Sequence, residues 1–369
     1  MPTTGTALLG RTSTAFRLNR AFGLAAILAL CACGADSTLP PDDTPTDPPS
    51  NSPEPPTTPE PPTTPEPPVT PTPPITPEPP STPPPEPPTL PPAGPPTHSG
   101  IPFGPNVYTK GESSASLVPP SQIDPAFSGL VTAAYPHTLV AKLEAARRVN
   151  DRVLLSFAGN SELYRDANGF NFEVWKQRVD KFRGIDISSY IADGTVMGHF
   201  IMDEPTDKNN WNGHQVSPAQ IDAMAEYSKQ IWPDMPAVIR AWSWYLKGYP
   251  FKYLDAAWAQ YHERLGPIDQ FITDNVRDAK ASGLELVLGL NVLAGGGANG
   301  LPGYYFEKMS MSASQVRTWG GALLDQPYGC AFLMFRYNEA YFNRPDIKEA
   351  MAELGRKARA RPVEPCRRL

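Results

Sequence analysis

The sequence predicts an α/β protein whose one large domain is a (β/α)8 (TIM) barrel, preceded by a disordered proline-rich stalk. Residues 100–369 are close to the length usual for that fold, about 250 residues. Within them eight short apolar runs alternate with amphipathic stretches, which implies parallel strands joined by helical crossovers. No glycine-rich phosphate loop follows an early strand, which weighs against an open doubly wound sheet.

The chain divides into 1–32, 33–99 and 100–369. Arg11, Arg17 and Arg20 precede an apolar run from Ala21 to Leu30, the pattern of a secretory signal. The run is well short of the roughly twenty residues that span a membrane. It ends in Leu30-Cys31-Ala32-Cys33-Gly34, which resembles the lipobox of bacterial lipoproteins. The resemblance implies cleavage before Cys33, acylation of its thiol, and an exported protein held at an outer membrane or cell surface. The alternatives are an ordinary signal peptide with chance cysteines or an uncleaved signal anchor.

From Leu39 to about Pro96 the chain repeats Ser52-Pro-Glu-Pro-Pro-Thr57, Thr58-Pro-Glu-Pro-Pro-Thr63 and Thr64-Pro-Glu-Pro-Pro-Val69, then drifts. Proline fixes φ and removes the N–H donor, so neither helix nor ladder forms. Extended polyproline II remains, at about 3.1 Å per residue, and the segment reads as a spacer. Charge supports this reading. The whole chain is −6 at pH 7. The signal carries its three arginines and no acid, and the stalk carries acids from Asp36 to Glu86 and no base, so acids and bases balance in the barrel segment. A neutral domain lacks the basic face that nucleic acid requires, so none is expected as a partner.

Strands are predicted at 106–109, 129–134, 153–157, 196–202, 237–242, 256–261, 286–290 and 331–335. Several are apolar almost throughout, as strands covered on both faces must be. Helices follow at 137–149, with Leu139, Leu143 and Ala146 on one face, and at 172–182, with Val174, Val179 and Phe182. Ser217-Pro218 opens a third, Ser312 and Gln315 form a capping box for another, and Pro345 starts the last. The segments after the first and fifth strands show little helical pattern.

Cys330 begins the last strand and Cys366 follows the last helix, which runs back antiparallel to it. Both therefore belong at the end of the barrel opposite the active face, where a disulfide would tie down the C-terminus of an exported protein. Two free thiols are the alternative.

Active sites of this fold lie at the C-terminal strand ends. Gly198-His-Phe-Ile-Met-Asp-Glu-Pro205 closes the fourth strand with an acidic pair. It resembles the (β/α)8 glycoside hydrolases whose fourth strand ends Asn-Glu-Pro. The resemblance implies that Glu204 is the general acid/base, with Asp203 in the place of the Asn. Such a Glu needs a raised pKa, which burial and a neighbouring carboxylate supply. The bland reading is a capping Asp203 with a solvated Glu204.

The family's nucleophile belongs at the end of the seventh strand, where this chain has Asn291, which can only bind a hydroxyl. Hydrolysis normally needs a second carboxyl. Asp203, Glu263 and Glu339 are candidates, with Glu339 preferred because it follows the eighth strand directly and a surface-loop glutamate as its equal alternative. Trp211, Trp242, Trp244 and Tyr261 are candidate sugar platforms, with the outer-face packing of Trp242 and Trp244 an equal alternative. Tyr108, Asn160, Arg240, Gln260, Asn291, Arg336 and Tyr337 are candidate polar contacts near strand ends. Arg240 and Arg336 could bind a carboxylate-bearing sugar or pair with Asp203 and Glu204. Gly295–Gly303 reads as a flexible loop over the mouth. The scattered histidines show no metal-ligand spacing, with His199 packed inside a strand, and no Gly-x-Ser-x-Gly elbow occurs.

The sequence therefore predicts a monomeric lipoprotein, without metal or cofactor, that acts on a polysaccharide or glycan by carboxyl acid/base catalysis. Its competitor is a non-catalytic glycan-binding lipoprotein on the same scaffold.

Overall fold

The computed structural model describes residues 97–107 and 118–368. The expected signal segment, Cys33, nearly all of the stalk and Tyr108 lie outside the described residues.

Eight parallel strands form one sheet: β1 (Phe103–Pro105), β2 (Gly129–Ala133), β3 (Arg152–Ser156), β4 (Val196–Asp203), β5 (Ala237–Arg240), β6 (Ala256–Tyr261), β7 (Glu285–Leu290) and β8 (Gly329–Met334). Each pairs with its neighbour in sequence from β2 to β8, and β8 pairs with β1. The seam between β1 and β2 closes through a bridge from Asn106 to Val131. Ser128 N–H to Phe103 O and Val107 N–H to Val131 O, both 2.9 Å, complete it. This is the expected (β/α)8 barrel.

The first strand lies three residues earlier than the sequence reading placed it. Pro102, Gly104 and Pro105 carry turn signals, but a strand at the closing seam tolerates a missing N–H. The fifth strand stops at Arg240, two residues short of expectation, and Trp242 caps a short helix, Ser243–Leu246.

Alternation along the strands separates two cores. Leu154, Phe200, Val238, Trp258, Val287 and Leu333 fill the interior of the barrel. Leu155, Ile239, Ala259, Leu288 and Phe332 face outward to the helices. Gly289 is what lets the Trp258 indole cross the interior. A Cβ there would come 1.7 Å from the Leu333 carbonyl, to which Trp258 Nε1 donates at 3.3 Å.

The main helices are α1 (Leu139–Arg148), α2 (Phe172–Val179), α3 (Pro218–Ile231), α4 (Ile268–Ala281), α5 (Ala313–Asp325) and α6 (Pro345–Arg359). Ser217 with Gln220 and Ser312 with Gln315 form the capping boxes that start α3 and α5. Only the four-residue turns Pro120–Ile123 and Ser243–Leu246 are helical in the described residues after β1 and β5.

At the N-terminal strand ends, Cys330 and Cys366 are joined by a disulfide with Cα atoms 5.2 Å apart. Both belong to the interior cluster. Beyond Cys366 the tail crosses to the foot of β6, where the Arg368 N–H donates to Asp255 Oδ1 at 3.3 Å. The start of the domain is at this end too: Ile101 N–H donates to the Ala358 carbonyl at 3.1 Å. Among the described residues no helix is long and apolar enough to cross a membrane.

Candidate active site

The site is built on β4, which changes register twice, against β3 near Met197 and against β5 between Phe200 and Met202. Such bulges re-aim the residues that follow them. Here those residues are Asp203 and Glu204.

Glu204 has φ of 43°, left-handed backbone that costs a non-glycine residue about 1–2 kcal/mol. The surroundings hold it there. Its N–H donates to the Arg240 carbonyl at 3.0 Å, and its own carbonyl accepts from Asp207 N at 3.1 Å. The Trp211 indole Nε1 donates to the same carbonyl at 2.9 Å.

The Glu204 side chain meets Arg240, which is only 7% exposed. Arg240 Nη2 lies 3.2 Å from Glu204 Oε1, Nε pairs with Asp203 Oδ1, and Nη1 donates to Gln260 Oε1 at 2.7 Å. Burial opposes the Arg240 charge, but the two carboxylates outweigh it and raise its pKa. The Arg240 guanidinium pulls the Glu204 carboxyl down, yet burial with the charges of Asp203 and Asp207 holds it above the ordinary range.

A cavity of about 450 Å³ opens over this cluster, within the usual range for ligand sites. Asp203, Glu204 and Arg240 line it together with Asn160 and Glu162 from the loop after β3, Asn291 after β7, and Arg336 after β8. Asn210 also lines it, with Nδ2 3.5 Å from Glu204 Oε2. A second cavity of about 400 Å³ shares Glu204, Arg240 and Asn291 and reaches Trp242, Gln260 and His262. Burial and nearby Arg264 lower the His262 pKa to about 4, so its ring is neutral at pH 7. The two cavities form a mouth with Glu204 at their junction.

No protein-family model matches the sequence, and no curated protein matches it. Solved structures similar to this chain include a β-glucanase from Saccharophagus degradans, at 9% identity and a TM-score of 0.47, covering 71% of this chain and 88% of the other. An endocellulase from Pyrococcus horikoshii is similar at 11% identity and a TM-score of 0.45, covering 69% and 92%. An endoxylanase from Clostridium papyrosolvens is similar at 9% and 0.44, covering 74% and 75%. The barrel is established by its own strand pairings.

Several sequence expectations are corrected. Tyr261 is buried facing the helices, packed on Phe271 and Trp319, because Gln260 before it points into the mouth. Trp211 is fully buried against Tyr164 and Phe170 and supports Glu204 from behind. Tyr337 stacks on Phe342 at 5.4 Å and does not line either cavity. Glu339 is exposed at the start of a short helix capped by Asn338, outside both cavities. Glu263, in the turn after β6, likewise lines neither.

Trp242 lines the second cavity, and the 58%-exposed Trp244 stacks beside it at 6.4 Å. The Gly295–Gly303 segment is an ordered turn leading into a two-stranded ribbon, Leu301–Tyr305 with Lys308–Ser310, that brings Tyr305 to the mouth. His199 is buried between the Trp175 and Phe157 rings, with its Nδ1 2.9 Å from Ser228 Oγ and its pKa lowered by burial to about 3. Among the described residues no group of three His, Cys, Asp or Glu is placed to hold a metal ion.

Glu162 is the site carboxylate that sequence reasoning missed. It sits six residues beyond β3, in a 3-10 turn, with no motif to announce it. Its position just past a barrel strand end was the available signal.

Proposed function

We propose that the barrel is a glycoside hydrolase acting on an extracellular or periplasmic glycan, with Glu204 as the general acid. The observation that carries this reading is the Glu204 carboxyl itself. It stands at the junction of two cavities on backbone fixed from both sides, with its pKa raised. A carboxylic acid whose pKa is raised keeps its proton to higher pH and can give it to the glycosidic oxygen as the C–O bond breaks.

Glu162, contributed to the same cavity by the loop after β3, is the second carboxylate. As a base it takes a proton from the water whose oxygen bonds to the anomeric carbon, so one water is consumed for each bond cleaved. Asp203 is tied to Arg240 and serves to hold that guanidinium in place. Neutral hydroxyls have Asn160, Asn291 and Gln260 as partners, and Trp242 offers a ring face.

A non-catalytic glycan-binding protein is the second reading. Asn291 favours it, since an amide stands where the family resemblance puts a nucleophile. The test is release of reducing ends from a panel of polysaccharides. The hydrolase reading expects turnover that Glu204→Gln lowers by about 10²–10⁴ while glycan binding survives. No turnover by wild type, with affinity indifferent to Glu204→Gln, selects the binding protein.

We also propose that a lipid on Cys33 holds the monomeric protein at a cell surface or outer membrane, the proline-rich stalk acting as spacer. The lipobox-like Leu30–Gly34 run supports this. Mass spectrometry finding an unmodified Cys33 at the mature N-terminus would remove it.

A further inference from the structure

We propose that the mouth selects an acidic sugar and that Arg336 is the residue that binds its oxyanion. The inference rests on the glycan reading of the cavity and adds the substrate class.

Two arginines line the main cavity, in opposite states. Arg240 is spent: its donors go to Asp203, Glu204 and Gln260. Arg336 lies over the rings of Tyr305, at 5.3 Å, and Phe335, at 5.8 Å. Among the described residues it makes no hydrogen bond and no ion pair. Ring contacts orient the guanidinium plane but leave its N–H edges unused. A fork of donors held at a cavity wall matches a carboxylate in two parallel bonds.

The distribution of charge gives this arginine a direction. The carboxylates of the cavity, Glu162, Asp203 and Glu204, come from the ends of β3 and β4. Arg336 comes from the end of β8, with β1 and β2 between it and β3 in the ring. The cavity therefore holds paired charges on one side, Arg240 with Asp203 and Glu204, and the unpaired Arg336 on the other. A neutral sugar gains nothing from that polarity. A sugar carrying an oxyanion is oriented by it, with its charge at Arg336 and its glycosidic oxygen towards Glu204. The oxyanion is the carboxylate of a uronic acid or a sulfate ester, which share the chemistry that Arg336 reads.

The experiment is calorimetric titration of the Glu204→Gln protein, which keeps ligands intact. The probes are oligogalacturonate and its methyl ester, glucuronoxylan oligosaccharide and its carboxyl-reduced form, alginate oligosaccharide, and a carrageenan oligosaccharide bearing sulfate but no uronate. At least one acidic probe should bind about tenfold or more tightly than its neutral counterpart, with a preference that shrinks as salt rises. Arg336→Ala in the same background should bring the two forms within about twofold, and Arg336→Lys, which keeps charge without the fork, should fall between. Binding confined to carrageenan and lost in Arg336→Ala assigns the site to sulfate. Neutral probes binding as tightly, a charge preference that survives in a folded Arg336→Ala protein, or no binding across the panel overturns the proposal. Charge-selective binding without turnover by wild type would keep this site and remove the hydrolase reading. Turnover of neutral glycans, indifferent to Arg336, would do the reverse.

Discussion

The Trp211 indole N–H donates to the backbone carbonyl of Glu204 at 2.9 Å, so an aromatic ring behind the mouth fixes the one non-glycine residue of its lining with left-handed backbone. Trp211 is wholly buried against Tyr164 and Phe170. It therefore transmits the packing of the outer loops to the peptide that aims the Glu204 carboxyl. Trp211→Phe keeps an aromatic ring and removes this donor. Turnover should fall about 10–100-fold through misplacement of the acid, while stability drops by only about 1–3 kcal/mol. Steady-state kinetics beside urea unfolding checks both. Unchanged turnover in the folded variant would show that the bond positions nothing.

The pH profile tests the same carboxyl. A group that must be protonated to act loses activity as pH rises through its pKa, so the raised pKa of Glu204 extends activity upward. The Asp207 charge is one of the causes of that rise. Asp207→Asn removes the charge, lowers the Glu204 pKa, and should move the alkaline limb of kcat/KM to lower pH. A limb that stays in place would assign it to another group.

Replacing both Cys330 and Cys366 with Ala should cost about 4 kcal/mol on the chain-entropy estimate for their separation of 36 residues. Turnover of the folded variant should be nearly unchanged, because the bridge lies at the end of the barrel away from Glu204. Urea midpoints for the wild type and the double variant measure the loss. Equal midpoints would show that the bridge adds no stability.

Much of the barrel is readable because strands covered on both faces leave apolar runs, and the alternation with capped helices gives their order. The end of β4 is readable for the same reason, since an acidic pair directly after seven buried residues has nothing to pack against. Strand phase was harder. Gln260 and Tyr261 look equally suited to a sugar, and only the inward turn of Ala256 and Trp258 shows which of them faces the mouth. The burial of Trp211 is not legible in the sequence because Tyr164 and Phe170, which cover it, lie more than forty positions away. The exposure of Glu339 follows from Asn338, which caps a helix there and turns the chain outward. Glu162 and Arg336 depend on which loops meet over the barrel, a relation between distant segments that no local pattern encodes.

Among the described residues, the segment before β1 lies beside Ala358 and the segment after Cys366 reaches the foot of β6, so both lie on the face opposite the mouth. Chain added at either of these points would start from the face away from the candidate site. For such a module, fusion is mechanically neutral: a tag, a second domain or a circular permutation that joins the two ends would load only the face closed by the Cys330–Cys366 bridge. The loops above the strands would then be free to diverge in sequence without reference to what the domain is attached to.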